Sequence, residues 1–100
     1  MSEGKVACRS PNPGKKPKRI DRWKFDAVRR AILEVLPTEG EGIVFMSEEF
    51  HDAVAAGLTP EERENLGSAG WYTTTVKLEL EVRGEIRRVP GSKPQRLLCN

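Results

Sequence analysis

The sequence predicts an α+β domain in which three core helices and a short strand precede a C-terminal β-hairpin. Apolar residues recur every three or four positions over 21–36, and cap residues with Gly and Pro breaks divide 47–83 into helical segments. After residue 84, the segments 85–89 and 95–98 flank a turn that contains Pro-Gly, which indicates two short strands. With 100 residues, 37% hydrophobic and 32% charged, the chain has the size of a single domain with one modest core.

The first predicted helix runs from Asp21, as N-cap, to Leu36. Its apolar stripe consists of Phe25, Val28, Ile32 and Val35. Pro37 ends the helix, and a polar loop with two glycines follows. The β-branched and aromatic run at 43–45 predicts a short strand.

Two further helical segments follow this strand. Ser47 is the predicted cap of a helix that ends near Gly57, because two glutamates occupy its first turn, where the helix dipole favours negative charge. At 59–62, a threonine cap, a proline at the first helical position and a glutamate at the third predict a short helical turn before Gly67.

The last predicted helix covers 68–83, with Ser68 as its cap and Gly84 as the left-handed residue after it. Helical spacing places Trp71, Thr75, Leu78 and Val82 on the core face, widened by Tyr72, Val76 and Leu80. The opposite, solvent face is predicted to hold Thr73, Thr74, Lys77 and Glu81. Residues 85–98 are predicted to form two strands around a turn at 90–94.

Residues 1–19 have the composition of an arm. They contain three prolines, two glycines and six cationic side chains, and Val6 with Ala7 is their one weak apolar pair. Such a segment buries little apolar area against the entropy of ordering, so we expect a mobile basic arm followed by a domain over 20–100. The amino end lacks the apolar stretch of a secretory signal, and no run approaches the ~18 residues that span a bilayer. We therefore expect a cytoplasmic protein without a membrane partner, in which Cys8 and Cys99 are free thiols.

Charge is unevenly distributed along the chain. Residues 1–24 hold eight cationic side chains against two carboxylates, a net charge of +6, and residues 25–68 hold three against ten, a net charge of −7. Residues 69–100 hold six against three, a net charge of +3. Basic ends around an acidic middle suit a protein that presents one positive face to a polyanion.

The order of helix, short strand, two helices and hairpin resembles that of the winged helix-turn-helix superfamily. The segments GWYTTTVKLELEVRG (70–84) and RVPGSKPQRL (88–97) are also similar to a small bacterial family of unassigned function. This second resemblance extends to 25–28, to Leu36-Pro37 and to 11–14. It implies the winged-helix fold and no settled biochemical role. If 11–14 belong to the shared pattern, part of the arm is ordered against the domain.

In the helix-turn-helix binding mode, the later helix enters the major groove of duplex DNA, and wings and basic arms contact neighbouring phosphates or the minor groove. The predicted DNA contacts are Thr73, Thr74 and Lys77 on helix 68–83, Arg87, Arg88, Lys93 and Arg96 on the wing at 85–98, and Lys15, Lys16, Lys18 and Arg19 on the arm. The sequence thus favours a DNA-binding module similar to a transcription regulator. A solvated helix face, edge-strand protection and a solubilising tail are the alternative roles of these side chains.

A second hypothesis is a protein interaction module that uses the acidic surface of 48–64 on the same scaffold. No nucleophile motif or phosphate loop is present, and His51 has no second histidine or nearby cysteine to complete a metal site. We therefore expect neither an enzyme nor a metal or other cofactor. Because no long extra helix offers a dimer contact, we expect a monomer or a weak dimer.

Overall fold

The computed structural model describes residues 4–12, 14–91 and 93–100. The elements, in chain order, are β1 (Lys5–Cys8), β2 (Lys18–Asp21), α1 (Arg22–Val35), β3 (Ile43–Val44), α2 (Glu48–Ala56), α3 (Pro60–Leu66), α4 (Ala69–Arg83), β4 (Ile86–Arg88) and β5 (Arg96–Cys99). β1 pairs with β2, and the remaining strands form a second antiparallel sheet in the order β3-β5-β4. The fold of the described residues is therefore α+β, as the sequence predicts.

Three of the four predicted capping side chains are confirmed; the fourth, that of Asp21, forms no cap hydrogen bond and pairs with Lys5 instead. The hydroxyl of Ser47 accepts from the backbone N–H of Phe50 at 3.1 Å, and the hydroxyl of Ser68 accepts from that of Trp71 at 3.2 Å. Thr59 and Glu62 form a complete capping box at the start of α3. Gly84 ends α4 with φ of 79°, the left-handed conformation that favours glycine at this position.

The C-terminal hairpin is also confirmed, and it is extended by the short strand β3. Ile43 lies opposite Leu97, and Ile86 lies opposite Cys99. Gly42 allows this pairing, because a Cβ atom there would lie 2.5 Å from the carbonyl oxygen of Leu97 and the residue has φ of +78°. Any side chain at position 42 would therefore push β3 away from β5.

The N-terminal segment is a hairpin in place of the expected arm. Val6 lies opposite Ile20 in the β1–β2 pairing, and both are buried together with Cys8. The β1–β2 hairpin contacts α1 and α4 and shares their hydrophobic core. Three buried side chains are enough to hold the hairpin in place, because they pack on an apolar surface that α4 and α1 provide. Residues 1–3 and Pro13 of the expected arm, and Ser92 of the predicted turn, lie outside the described residues.

The core lies where α1 packs against α2 and α4. Its most deeply buried large side chains include Phe25, Ile32, Phe50, Val54 and Leu80. Three of them come from the predicted stripes of α1 and α4, so the helical periodicity located this part of the core correctly. Among the helices of the described chain, none is long and apolar enough to cross a bilayer.

Candidate functional site

Helix α4 presents different faces from those predicted. Thr73 and Lys77, expected on the solvent face, are each only 3% exposed, whereas Trp71, expected in the core, is 43% exposed. Thr74 is exposed as predicted, and Thr75 is buried as predicted. The sequence assigned a single buried face, but α4 is covered both by α1 and α2 and by the β1–β2 hairpin. The face left to solvent is therefore narrow, and it carries Trp71 and Thr74.

Lys77 belongs to a buried ion cluster on one side of α4. Its Nζ lies 2.7 Å from Oε2 of Glu81 and 4.5 Å from the centre of the Phe45 ring. The guanidinium of Arg88 binds the other oxygen of Glu81. Burial lowers the pKa of Lys77, against the stabilising effect of Glu81. Lys77 thus faces the protein interior, which corrects its predicted exposure to DNA, and Arg88 is held by Glu81.

Glu79 lies on the other side of α4 and fastens the β1–β2 hairpin to the helix. Its Oε1 accepts from the backbone N–H of Arg9 at 2.7 Å and from the Nε of that residue at 3.1 Å. Its Oε2 accepts from Arg9 Nη2 and from Arg83 Nε, both at 2.8 Å. Burial alone raises the pKa of this carboxyl, but the hydrogen bonds outweigh it and lower the pKa to about 2. Glu79 is therefore ionised and fully engaged.

The loop of the β1–β2 hairpin and α4 line a partly open pocket of about 320 Å³. We call this the basic pocket. Cys8, Thr75 and Leu78 line its protein side. Its other lining residues include Lys15, Lys16 and Lys18, which are exposed and form no ion pair with any residue that the structure describes. Three of the predicted arm cations therefore converge on one concave site.

The remaining predicted cations lie outside this pocket. Arg19, on β2, and Arg87 and Lys93, on the C-terminal hairpin, are exposed. None of the three forms an ion pair within residues 4–12, 14–91 and 93–100. Arg96 is half-buried, and its Nη1 donates to the Gly42 carbonyl at 3.5 Å.

Exposed carboxylates gather in a different part of the fold. Five exposed carboxylates on α2 and α3 form no ion pair with described residues: Glu48, Glu49, Asp52, Glu61 and Glu64. In the described chain, no three His, Cys, Asp or Glu side chains come close enough to hold a metal ion. The surface is thus divided into basic hairpins and an acidic helical region.

The geometry defines a small α+β protein with two basic hairpins around one central helix. A model of a family of unknown function, DUF6958, matches residues 5–97. The chain therefore belongs to this family, and the match includes the β1–β2 hairpin as well as the helices. No curated protein and no solved structure matches the chain.

Proposed function

We propose that residues 22–99 form a winged helix-turn-helix module that binds the phosphate backbone of duplex DNA. The element order supports this assignment: α2 and α4 flank the short α3 in the connecting turn, and the β4–β5 hairpin follows α4 directly, as a wing does. In this arrangement α4 is the later helix, and the wing and the β1–β2 hairpin adjoin it.

The observation that carries the proposal is the supply of unpaired cations on the two hairpins. Six exposed side chains there form no ion pair with any described residue: Lys15, Lys16, Lys18, Arg19, Arg87 and Lys93. Cations that are not neutralised within the protein are available to replace the counterions of DNA phosphates. The unpaired carboxylates of α2 and α3 lie on other elements than these six cations.

The burial of two α4 side chains limits the base contacts that such a module could make. Of the three predicted contacts on helix α4, Thr74 alone remains exposed, because Thr73 and Lys77 are buried. Phosphate contacts position a protein on the duplex, whereas contacts to base edges provide specificity. We therefore expect affinity that depends mainly on charge, with weak preference for sequence.

A fluorescence anisotropy titration with a mixed-sequence duplex over a series of salt concentrations tests this function. Six phosphate contacts give a slope of log K against log salt of roughly −5. R87Q removes an unpaired wing cation and should weaken binding and reduce the slope by about 0.9. R63Q makes the same change on α3, outside the hairpins, and should leave both unchanged. Absence of binding at low salt, or an equal loss in the two variants, rejects the proposal.

A protein interaction module is the second candidate, favoured by the exposed carboxylates of α2 and α3. Glu48, Glu49 and Asp52 belong to one helix and form no ion pair with described residues, so a basic partner would meet unneutralised charge there. The triple charge reversal of these residues to Lys should abolish a nuclease-insensitive complex in a pull-down. The triple change of Lys15, Lys16 and Lys18 to Gln should leave that complex intact.

A further inference from the structure

The basic pocket has the size and the wall chemistry of a small-molecule site. Its volume of about 320 Å³ lies at the lower end of the range for ligand pockets, and it is several times larger than a bare inorganic anion requires. Leu78 supplies an apolar wall, and Cys8 and Thr75 are 4% and 6% exposed. The pocket therefore has room for an apolar body as well as a charged group.

The charge in the pocket favours an anion with two negative charges. Lys15, Lys16 and Lys18 bring three ammonium groups that no described carboxylate neutralises. Arg9 also lines the pocket, but its guanidinium already binds Glu79, which holds this wall in place. The net charge available to a ligand therefore comes from the three lysines.

The protein side of the pocket adds no opposing charge. Burial, with a smaller contribution from Glu79, raises the pKa of the Cys8 thiol to about 11. Cys8 is thus a neutral, weakly polar group at neutral pH, and Thr75 and Leu78 carry no charge. An apolar body can lie against these three side chains while its charged group meets the lysines.

We propose that the basic pocket binds a phosphate monoester of a small organic molecule. The lysines hold the phosphate, and the organic body packs against Leu78 and Cys8. The three lysines also belong to the DNA contacts in the proposed function, and that part rests on the proposal above: a bound phosphate monoester then competes with the duplex. Binding of the small molecule itself does not depend on DNA binding.

The test is a titration of the full chain, without DNA, with phenyl phosphate, followed by amide chemical shifts. Shifts should concentrate at residues 8–18 and 75–78, and inorganic phosphate should bind about tenfold more weakly because it lacks the apolar body. Phenol, which has no phosphate, should cause no comparable shifts. Equal affinities for phenyl phosphate and inorganic phosphate, or shifts spread over all cationic surfaces, would overturn the proposal.

Two sets of variants separate the pocket from general positive charge. Changing Lys15, Lys16 and Lys18 together to Gln should weaken phenyl phosphate binding by about tenfold or more, since each unit of lost charge removes a phosphate contact. The matched control changes Arg19, Arg87 and Lys93 to Gln and should retain the affinity. All six side chains are exposed and unpaired with described residues, so both chains should fold. An equal loss of phenyl phosphate affinity in the two sets of variants would contradict binding in the basic pocket.

The variant L78A tests the apolar wall alone. Leu78 is half-buried, so its truncation should leave the fold intact. L78A should weaken the binding of phenyl phosphate severalfold and leave the binding of inorganic phosphate unchanged, because only phenyl phosphate has a ring that packs against Leu78. An equal effect on the two ligands would show that Leu78 does not contact the organic group and would overturn that assignment. DNA titrations then report separately on the proposed function.

Discussion

Lys77 and Glu79 lie two residues apart on α4, and both are buried charges, but their surroundings differ. The Glu79 side chain is 1% exposed, and its carboxylate accepts from two arginines and one backbone N–H. The Lys77 side chain is 4% exposed, and its ammonium has one carboxylate and one aromatic ring beside it. Residues at this spacing point to opposite sides of a helix, so each faces a different covering element.

The comparison shows how a buried charge is tolerated in this small domain. Burial disfavours the charged form in both cases, yet the pKa of Glu79 falls to about 2, in the direction that favours its charge. The pKa of Lys77 falls as well, which for an amine is the direction that disfavours its charge. The hydrogen bonds of Glu79 therefore more than offset the cost of burying its charge. Glu81 offsets only part of the cost of burying the charge of Lys77.

The largest expected effect comes from E79Q. The amide keeps the shape but leaves Arg9 without a carboxylate and Arg83 with only the more distant Glu85. Breaking a buried pair costs about 3 kcal/mol or more. Urea unfolding should report this loss of stability. E85Q is the control, because the pairs of Glu85 with Arg29 and, at 3.9 Å, with Arg83 are partly exposed and should contribute less than about 1 kcal/mol. Similar losses in the two variants would remove the special role of Glu79.

The lowered pKa of Glu79 makes part of the free energy of unfolding sensitive to acid. Because the pKa of Glu79 falls from its ordinary 4.5 to about 2, the folded chain binds fewer protons than the unfolded chain between these values. Its contribution, on the order of 3 kcal/mol, is complete above pH 4.5 and is lost as the pH falls to about 2. Unfolding free energies measured across this range should converge for the parent chain and E79Q. A constant gap would contradict the prediction.

Replacing Lys77 should lower the free energy of unfolding much less than replacing Glu79. In K77M the apolar side chain fills the same space beside Phe45, and Glu81 keeps its bond to Arg88. Replacing a buried ion whose partner remains paired is often neutral, so the free energy of unfolding should change by less than about 1 kcal/mol. Thermal melts measure this difference. A loss as large as that of E79Q would mean that Lys77 is as well compensated as Glu79.

The smallest expected effect is that of K77M on DNA binding. A side chain buried against Phe45 and Glu81 does not reach a phosphate, so the affinity and the salt slope should equal those of the parent chain. The anisotropy titration that tests the proposed function supplies the measurement, and R87Q serves as the positive control. Weaker binding by K77M at unchanged stability would restore the original prediction that Lys77 on α4 contacts DNA.

The sequence predicted local features well because their causes are local. Ser47, Thr59 and Ser68 bond to backbone groups only three residues away, and Gly84 meets a conformational demand of its own turn. The short strand at Ile43–Val44 and the C-terminal hairpin also followed from composition and turn residues. These signals predicted the helices and the strands of the second sheet, but not the pairing of β3 with β5.

The candidate site was only partly predictable. Cationic residues such as Lys15, Lys16 and Arg87 were identified as exposed and are exposed, because charged side chains without partners prefer water. Their convergence with α4 on a pocket had no signal in the sequence, since the hairpin loop and Thr75 are about sixty residues apart along the chain.

By itself, then, the sequence determined the α+β class, the helix boundaries and the supply of basic side chains. Tertiary structure decided which side of α4 meets solvent, and it turned the expected arm into a hairpin. The physical reason is that distant segments cover α4. Arg9 bonds to Glu79 across 70 positions of the chain, and Phe45 lies against Lys77, which periodicity assigned to water. A polar residue such as Glu79 can be buried when its partner comes from a distant segment, and no local pattern records that partner.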